Sequence, residues 1–252
     1  MHVKTIKTCR VNACQDLNQF VDAYLPTVSE ESVVVVTSKV VSICEGRTVP
    51  KHSATKEKLI QQEADTIIAS AESSGERIVL TLKNNLLIPS AGIDESNGND
   101  AYVLYPKDCF ASAKQLWSFL RTKHRIQKLG ILITDSHTTP LRKGVTGIAL
   151  AWWGFDPLFS YIGKPDLYGH PLRVTCINVV DALAASAVFA MGEGNECTPL
   201  AMIENAPHMT FNEDLHAYRE VCIAPEEDLY QPLLKSLSLE NNKTSFQNLE
   251  TL

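Results

Sequence analysis

Residues 33–37 read VVVVT, and that run decides the fold class. An unbroken β-branched stretch makes a strand covered on both faces, because a strand with one wet face alternates apolar and polar residues. A second such stretch, GILIT at 130–134, delivers Asp135 and Ser136 at its end. Elsewhere the spacing is helical. Cys109, Ala113, Leu116, Trp117 and Leu120 fall on one stripe over 109–124. Residues 55–71 read as another helix, with Ile60, Ala64, Ile67, Ile68 and Ala71 on its stripe. RIVLTL (77–82) reads as a strand and LLIPSAG (86–92) as a strand running into a loop. NVVDALAASAVFAM (178–191) is apolar nearly all round, so it reads as a deeply buried helix that Gly192 stops. A short apolar run, LAMI (200–203), follows. Mixed helices and buried strands predict an α+β (mixed α/β) fold.

The 252 residues fit one large domain or two small ones. The expected division is a main unit over 1–224, either whole or as two interleaved subdomains, with a C-terminal helix and polar tail over 225–252. PEEDLYQPLLKSL (225–237) carries a proline and two acids where a helix start favours them, and Pro232 kinks or restarts that helix. From Ser238 onward the chain is polar and aperiodic, which predicts fraying.

Composition excludes several classes. Apolar residues at 44% and charged residues at 21% are ordinary for a globular protein. The net charge of −6 argues against a nucleic-acid partner, which would select a basic stripe. No apolar run reaches the roughly 18 residues of a membrane span. The opening MHVKTIKT lacks an apolar signal core, so a cytoplasmic protein with no membrane partner is expected. The seven cysteines form no CxxC pair and read as reduced, small apolar residues. His52, His124, His170, His208 and His216 have no partner at metal-ligand spacing.

Three glycine-rich acidic loops each follow an apolar element: AGIDESNGND (91–100), TDSHTTPLRKG (134–144) and MGEGNECTP (191–199). If they converge, Asp94, Asp135, Ser136 and Glu193 supply the oxygen donors that Mg²⁺ or Mn²⁺ takes. Taken singly, each loop is explained by turn chemistry. Ser38-Lys39 directly follows the buried strand, where α/β folds present phosphate-binding groups, although a solvated lysine is the plainer reading of a lone dipeptide. No GxxxxGK[ST], GxGxxG or GxSxG motif occurs, which sets aside P-loop and Rossmann folds and leaves no side-chain nucleophile to assign.

At these loops the chain resembles the coenzyme F420-0:gamma-glutamyl ligase family. The resemblance rests on VVVVTSKVVSICEGR, SAGIDESN, ITDSHTTPLRKGVTGIALAWWGFDPL, YIGKPDLYGHPLRVT and NVVDALAASAVFAMGEG followed by TPLA, in the family's order from about residue 33 to 203. It implies the family's mixed α/β fold, a homodimer, and the joining of L-glutamate to a cofactor carboxylate through an acyl phosphate. GTP would serve as co-substrate, with Mg²⁺ or Mn²⁺ at two sites and K⁺ as a further ion. By the same resemblance Asp94 and Asp135 match ligands of one metal, and Ser136 (commonly Thr in the family) and Glu193 match ligands of the other. Ser38, Lys39 and Asn97 match nucleotide contacts, as do Met191, Gly192, Glu193, Gly194, Asn195, Glu196, Cys197 and Thr198. Thr8, Cys9, Arg10 and Val11 align more loosely with an early nucleotide-contacting segment.

Two departures stand out. Ile43 replaces a lysine of the family's SKAEGR pattern, so one phosphate contact is either missing or supplied from elsewhere, by Arg10 or Arg47. Thr138-Thr139 replace Gly-Arg, while Arg142 remains as the basic residue for substrate. The second change leans toward a folate-like acceptor over F420-0. A non-catalytic nucleotide- and metal-binding protein that keeps the ligase fold remains the rival reading. Trp152, Trp153, Phe155, Phe159 and Tyr161 either finish a monomer's core or face a second subunit.

Overall fold

The VVVVT run is a strand inside a five-stranded sheet, and the side chains that cover its two faces come from different helices. The structure is a computed structural model that describes residues 1–73, 76–98, 100–213, 221–224 and 226–236. In chain order it runs β1 (His2–Ile6), α1 (Leu17–Tyr24), β2 (Ser32–Thr37), α2 (Ser38–Cys44), β3 (Thr48–Pro50) and α3 (Lys56–Glu63). Then come β4 (Thr66–Ser73), β5 (Glu76–Lys83), β6 (Leu86–Pro89), a 3-10 turn (Ser90–Gly92), β7 (Ala101–Val103) and α4 (Cys109–His124). The last elements are β8 (Leu129–Thr138), β9 (Val145–Trp153), β10 (Leu158–Ser160), β11 (Cys176–Asn178), α5 (Val179–Met191), β12 (Leu200–Glu204) and α6 (Gln231–Ser236). The fold is α+β, as the sequence predicts. Among the described residues no helix is long and apolar enough to cross a membrane.

The chain divides into two units. Unit one comprises Met1–Gly46 and Pro106–Val221, and unit two comprises Arg47–Tyr105 and Cys222–Leu252. Unit one carries the sheet β1-β12-β2-β8-β9, in which only β2 and β8 pair in parallel. Val34 and Val36 pack with Ile131 and Ile133 beneath α1, α2 and α4. Val33 and Val35 pack with Leu132, Ala201 and Ile203 beneath α5. Strand alternation thus sends successive valines into two separate cores, which explains why Val33 to Val36 are all apolar. In unit two, β4-β5-β6 form a meander, β3 pairs with β7, and Leu59, Ile60, Ile93 and Leu104 make a small core.

Several expectations need correction. The helix read over 55–71 is only α3, and Thr66–Ser73 is β4, paired with β5. Ala64 is already extended at the C-cap and Ile67 is 49% exposed, so the supposed helical stripe breaks after Ile60, which does pack in the core of unit two. The consecutive β-branched residues Thr66, Ile67 and Ile68 favour the strand that wins. GILIT does not stop at Thr134: β8 continues through Asp135 and Ser136 to Thr138. α5 is buried on one side only, since Phe189 is 92% exposed. Trp152 and Phe155 are core residues under α5, so they cannot form an intersubunit face. Pro232 lies at the second residue of α6, where a missing N–H costs nothing, so it restarts a helix. Pro225 and the tail from Ser238 lie outside the described residues.

One polar junction locks α5 to the sheet. The N-cap Asn178 accepts the Asp181 N–H at 3.1 Å and donates its side-chain amide to Asp181 Oδ2 at 2.6 Å. Asp181 Oδ1 then accepts the Ala149 N–H at 2.9 Å, beside the register shift where Leu150 is passed over in the β8–β9 ladder. Asp181→Ala leaves the Ala149 N–H without an acceptor and removes a charged hydrogen bond, a loss of about 2 kcal/mol. Urea unfolding should show the midpoint falling with an unchanged slope.

Candidate functional site

Register brings the proposed nucleotide contacts of unit one to one end of its sheet. β2 ends at Thr37, directly opposite Thr134 of the parallel strand β8. β12 begins at Leu200, which pairs with Val36 on one side and with Ile6, the last residue of β1, on the other. Whatever follows Ile6 and Thr37, precedes Leu200 or continues past Thr134 therefore emerges at the same end. Those segments are Thr8–Val11, Ser38-Lys39, the loop 191–199 and Asp135-Ser136. Two backbone bonds close the set: the Thr8 N–H donates to the Cys197 carbonyl at 2.9 Å and the Thr37 N–H to Pro199 at 3.1 Å.

Each segment is held by local chemistry. Thr37 is extended and Ser38 opens α2 at once, so the buried Ser38 and half-buried Lys39 occupy the first helical turn rather than a loop. Glu45 caps the other end of α2. Its carboxylate accepts the Lys107 N–H at 2.6 Å and the Ser112 hydroxyl at 2.8 Å, which ties α2 to the start of α4. The Cys9 N–H donates to the Tyr24 hydroxyl at 3.0 Å and so anchors Thr8–Val11 on α1. Sequence reading misses Glu45 and Tyr24 as site-building residues, because both partners are distant in sequence.

The loop after α5 closes on itself. Gly192 takes φ +80° with ψ 171°, a conformation essentially confined to glycine, and the Glu196 carboxylate packs where a Cβ would lie. Glu196 Oε2 accepts the Gly194 N–H at 2.8 Å, and the Thr198 hydroxyl donates to the Met191 carbonyl at 2.5 Å. Glu193 is exposed on this closed loop. On β8, alternation puts Asp135 on the face of Ile131 and Ile133 and Ser136 on the α5 face. Burial, with Glu45, Asp108 and Asp135 nearby, pushes the Cys109 thiol up to about 12. Cys109 is therefore a neutral core thiol.

Asp94 and Asn97 belong to unit two. Asp94 bridges to Val103 through two 2.9 Å backbone bonds, and its Oδ1 accepts the Ser96 N–H at 2.6 Å. Asn97 has φ +54°, and a Cβ on Gly98 would meet the Ala101 carbonyl oxygen at 2.2 Å, which fixes a tight turn. Glu95 is held by Lys56 at 2.7 Å and Lys51 at 3.0 Å, which together hold its carboxyl below the usual range. Arg47 is committed to structure, binding Glu63 at 2.7 Å and the Tyr105 carbonyl at 3.0 Å. Arg10 is exposed beside Cys9. Arg142 is exposed in the β8–β9 turn, where its N–H donates to Thr139 at 3.2 Å.

The oxygen donors of unit one suit a hard cation. Among the described residues no three His, Cys, Asp or Glu side chains form a metal-holding group by themselves. Mg²⁺ does not require one, since it binds through one or two carboxylates and completes its shell with water and substrate phosphates. Asp135, Ser136 and Glu193 provide two carboxylates and a hydroxyl at the end of the sheet that also carries Ser38 and Lys39. Because Asp135 and Ser136 face opposite sides of the sheet, Asp135 suits one ion, and Ser136 with Glu193 suits another.

With this arrangement in view, relatives are informative. The sequence profile of the F420-0:Gamma-glutamyl ligase family matches residues 5–205. The chain belongs to that family. Among relatives, the coenzyme F420:L-glutamate ligase of Methanococcus maripaludis strain S2 is 29% identical over 218 residues, 81% of this chain and 86% of the relative. The Methanopyrus kandleri protein of the same name is 30% identical over 176 residues, 69% of this chain and 68% of the relative. The Methanosarcina barkeri protein of that name is 32% identical over 190 residues, 70% of this chain and 74% of the relative. The family span includes every residue singled out above as a metal, nucleotide or substrate contact.

Proposed function

We propose that this chain is a GTP- and divalent-metal-dependent γ-glutamyl ligase that adds L-glutamate to the carboxylate of an F420-0-type cofactor acid. The observation that carries the reading is the gathering of Ser38-Lys39, Asp135-Ser136 and the 191–198 loop at one end of one sheet in a member of this family. A carboxylate is a poor electrophile. Transfer of the terminal phosphoryl group of GTP converts it to an acyl phosphate. The glutamate amine then forms the C–N bond while the C–O bond to phosphate breaks and inorganic phosphate leaves. Lys39 supplies positive charge to the phosphates, and Ser38 opens the turn that presents it. The closed loop from Met191 to Thr198 contributes fixed backbone groups and Glu193. Ser136 and Glu193 would hold one Mg²⁺ or Mn²⁺ and Asp135 would serve the other, and either ion would neutralise phosphate charge. Asp94 and Asn97 are assigned by resemblance alone, Asp94 to metal and Asn97 to nucleotide.

Thr138-Thr139 favour a second acceptor, a folate, because an arginine fitted to an anionic acid is absent there. The deciding assay incubates the protein with GTP, Mn²⁺ and glutamate, offers F420-0 and dihydrofolate separately, and weighs the products. A glutamate adduct on F420-0 supports the first acceptor, and an adduct on dihydrofolate alone the second. Nucleotide binding with no adduct on either supports the non-catalytic rival.

The proposal extends to a homodimer. In unit one the 158–178 hairpin, whose strands are β10 and β11, leaves Leu167 99%, Tyr168 85% and Val174 85% exposed. Asp166 Oδ1 accepts the Tyr168 and His170 N–H groups at 2.8 Å each, so this apolar tip is ordered before anything covers it. Native mass measurement should give twice the chain mass of 27.8 kDa. Leu167→Glu with Tyr168→Glu should return it to the monomer.

A further inference from the structure

Cys14 and Cys44 meet although they are distant in sequence. The Cys14 N–H donates to the Ile43 carbonyl at 3.0 Å, and the Gly46 N–H shares that acceptor at 3.1 Å. With that bond in place, backbone bond lengths limit the Cys14 and Cys44 Cα atoms to about 7 Å. Disulfides join Cα atoms about 4.4–6.8 Å apart. The Cys14 sulfur is turned toward the end of α2, lying 3.0 Å from where a Cβ on Gly46 would be. Cys44 is the last residue of α2. Cys14 is exposed and sits at φ +59°, a left-handed conformation that a non-glycine residue keeps only when its surroundings impose it.

We infer that Cys14 and Cys44 form a reversible dithiol–disulfide couple that ties the segment following Thr8–Val11 to α2. The exposed Cys14 thiolate attacks a small-molecule disulfide, forming a mixed disulfide and expelling one thiolate. The Cys44 thiolate then attacks the Cys14 sulfur and expels the second. Two protein thiols are oxidised, the small disulfide is reduced to two thiols, and the two protein protons pass to solvent and the released thiolates. Burial, then the Asp16 and Glu45 carboxylates and the Cys14 thiol, push the Cys44 thiol up to about 11. That makes Cys44 the slow resolving partner and Cys14 the attacker. Closure draws the backbone before Cys14 toward α2 and strains the Thr8–Cys197 bond, so the oxidised form binds nucleotide more weakly. This consequence rests on the nucleotide assignment above.

The test treats the full chain with oxidised glutathione and digests it without reductant. Trypsin cuts after Lys39, so the bridge joins peptides 11–39 and 40–47, a species two hydrogens lighter than their sum. Expected are that species, its loss in Cys14→Ser, several-fold slower amide exchange over 9–14, and several-fold weaker binding of a fluorescent GTP analogue that reductant restores. Absence of the bridged peptide, a bridge from Cys14 to another cysteine, or unchanged exchange overturns the couple. Equal GTP affinity in both redox states overturns the control it exerts. No GTP binding in either state removes the nucleotide reading and leaves the couple to stand on the bridge and the exchange, neither of which needs nucleotide.

Discussion

Asp135→Asn should lower glutamate transfer about a thousandfold, the loss typical when one preorganised electrostatic group is removed from a phosphoryl- or acyl-transfer site. The substitution keeps the volume of the side chain and its place on β8, and it removes only charge and an anionic ligand. Asp135 is half-buried near the end of the strand, beyond the fully buried stretch Leu129–Thr134, so the core does not register the change. The melting temperature should therefore move by no more than about 2 °C. Titration with Mn²⁺ adds a readout that a purely structural role would not move. The metal concentration for half-maximal rate should rise in Asp135→Asn and in Glu193→Gln, with the smaller rise in Ser136→Ala, because a neutral hydroxyl gives up less than a carboxylate. Asp94→Asn tests the ligand assigned by resemblance and should lose turnover on the same scale. A variant of Asp135 that keeps turnover within a few-fold would remove the metal set from the reaction.

The sequence shows the parts of the fold that depend on burial and hides those that depend on pairing. VVVVT and GILIT are legible because covering on both faces demands apolar residues at every position. The α4 stripe is legible because one helical face meets one core. The 55–71 segment misleads because Ile60, Ala64, Ile67, Ile68 and Ala71 satisfy helical spacing by coincidence. The outcome there is set by pairing with β5, a partner that a local window does not contain. The aromatic residues around Trp152 leave two outcomes open for a related reason. Their size suits a core or an interface, and only the fold says that Trp152 and Phe155 lie under α5 while Trp153 packs against Trp117 of α4. The site divides along the same line. Asp135, Ser136 and Glu193 are visible as acidic or hydroxyl residues at element ends. Their common location follows from the register Thr37–Thr134 and Val36–Leu200, which no spacing along the chain encodes. Tyr24 and Glu45 stay invisible because their work is to accept hydrogen bonds from remote backbone.

Gly147→Ala should destabilise unit one by about 3 kcal/mol, the upper range for overpacking a core, and lower its melting temperature by about 6–12 °C. Gly147 pairs with Ser136 on β8 and faces α5. A Cβ there would lie 2.3 Å from the Ala184 carbonyl oxygen, 2.6 Å from its carbon and 2.8 Å from Val188 Cβ. The obstacle is mostly helix backbone, which no rotamer change can move aside. The helix must lift off the strand, and packing of Ala184, Ala187 and Val188 against the sheet is lost with it. Since Gly192 and Glu193 follow α5 directly, the same displacement shifts the loop assigned to nucleotide and metal. Turnover should accordingly fall at temperatures where the variant is still folded. Gly144→Ala is the matched control. It lies in the β8–β9 turn at φ +93° with no atom within 4 Å of its would-be Cβ, so it should cost only the backbone penalty of about 1–2 kcal/mol. Adding Ala184→Gly to Gly147→Ala separates the causes further, because it removes a side chain and leaves the clashing carbonyl in place. The double variant should be no more stable than Gly147→Ala alone. Recovery of stability in that double variant would mean that α5 is seated on β9 by side chains and not by the contact of helix backbone with glycine.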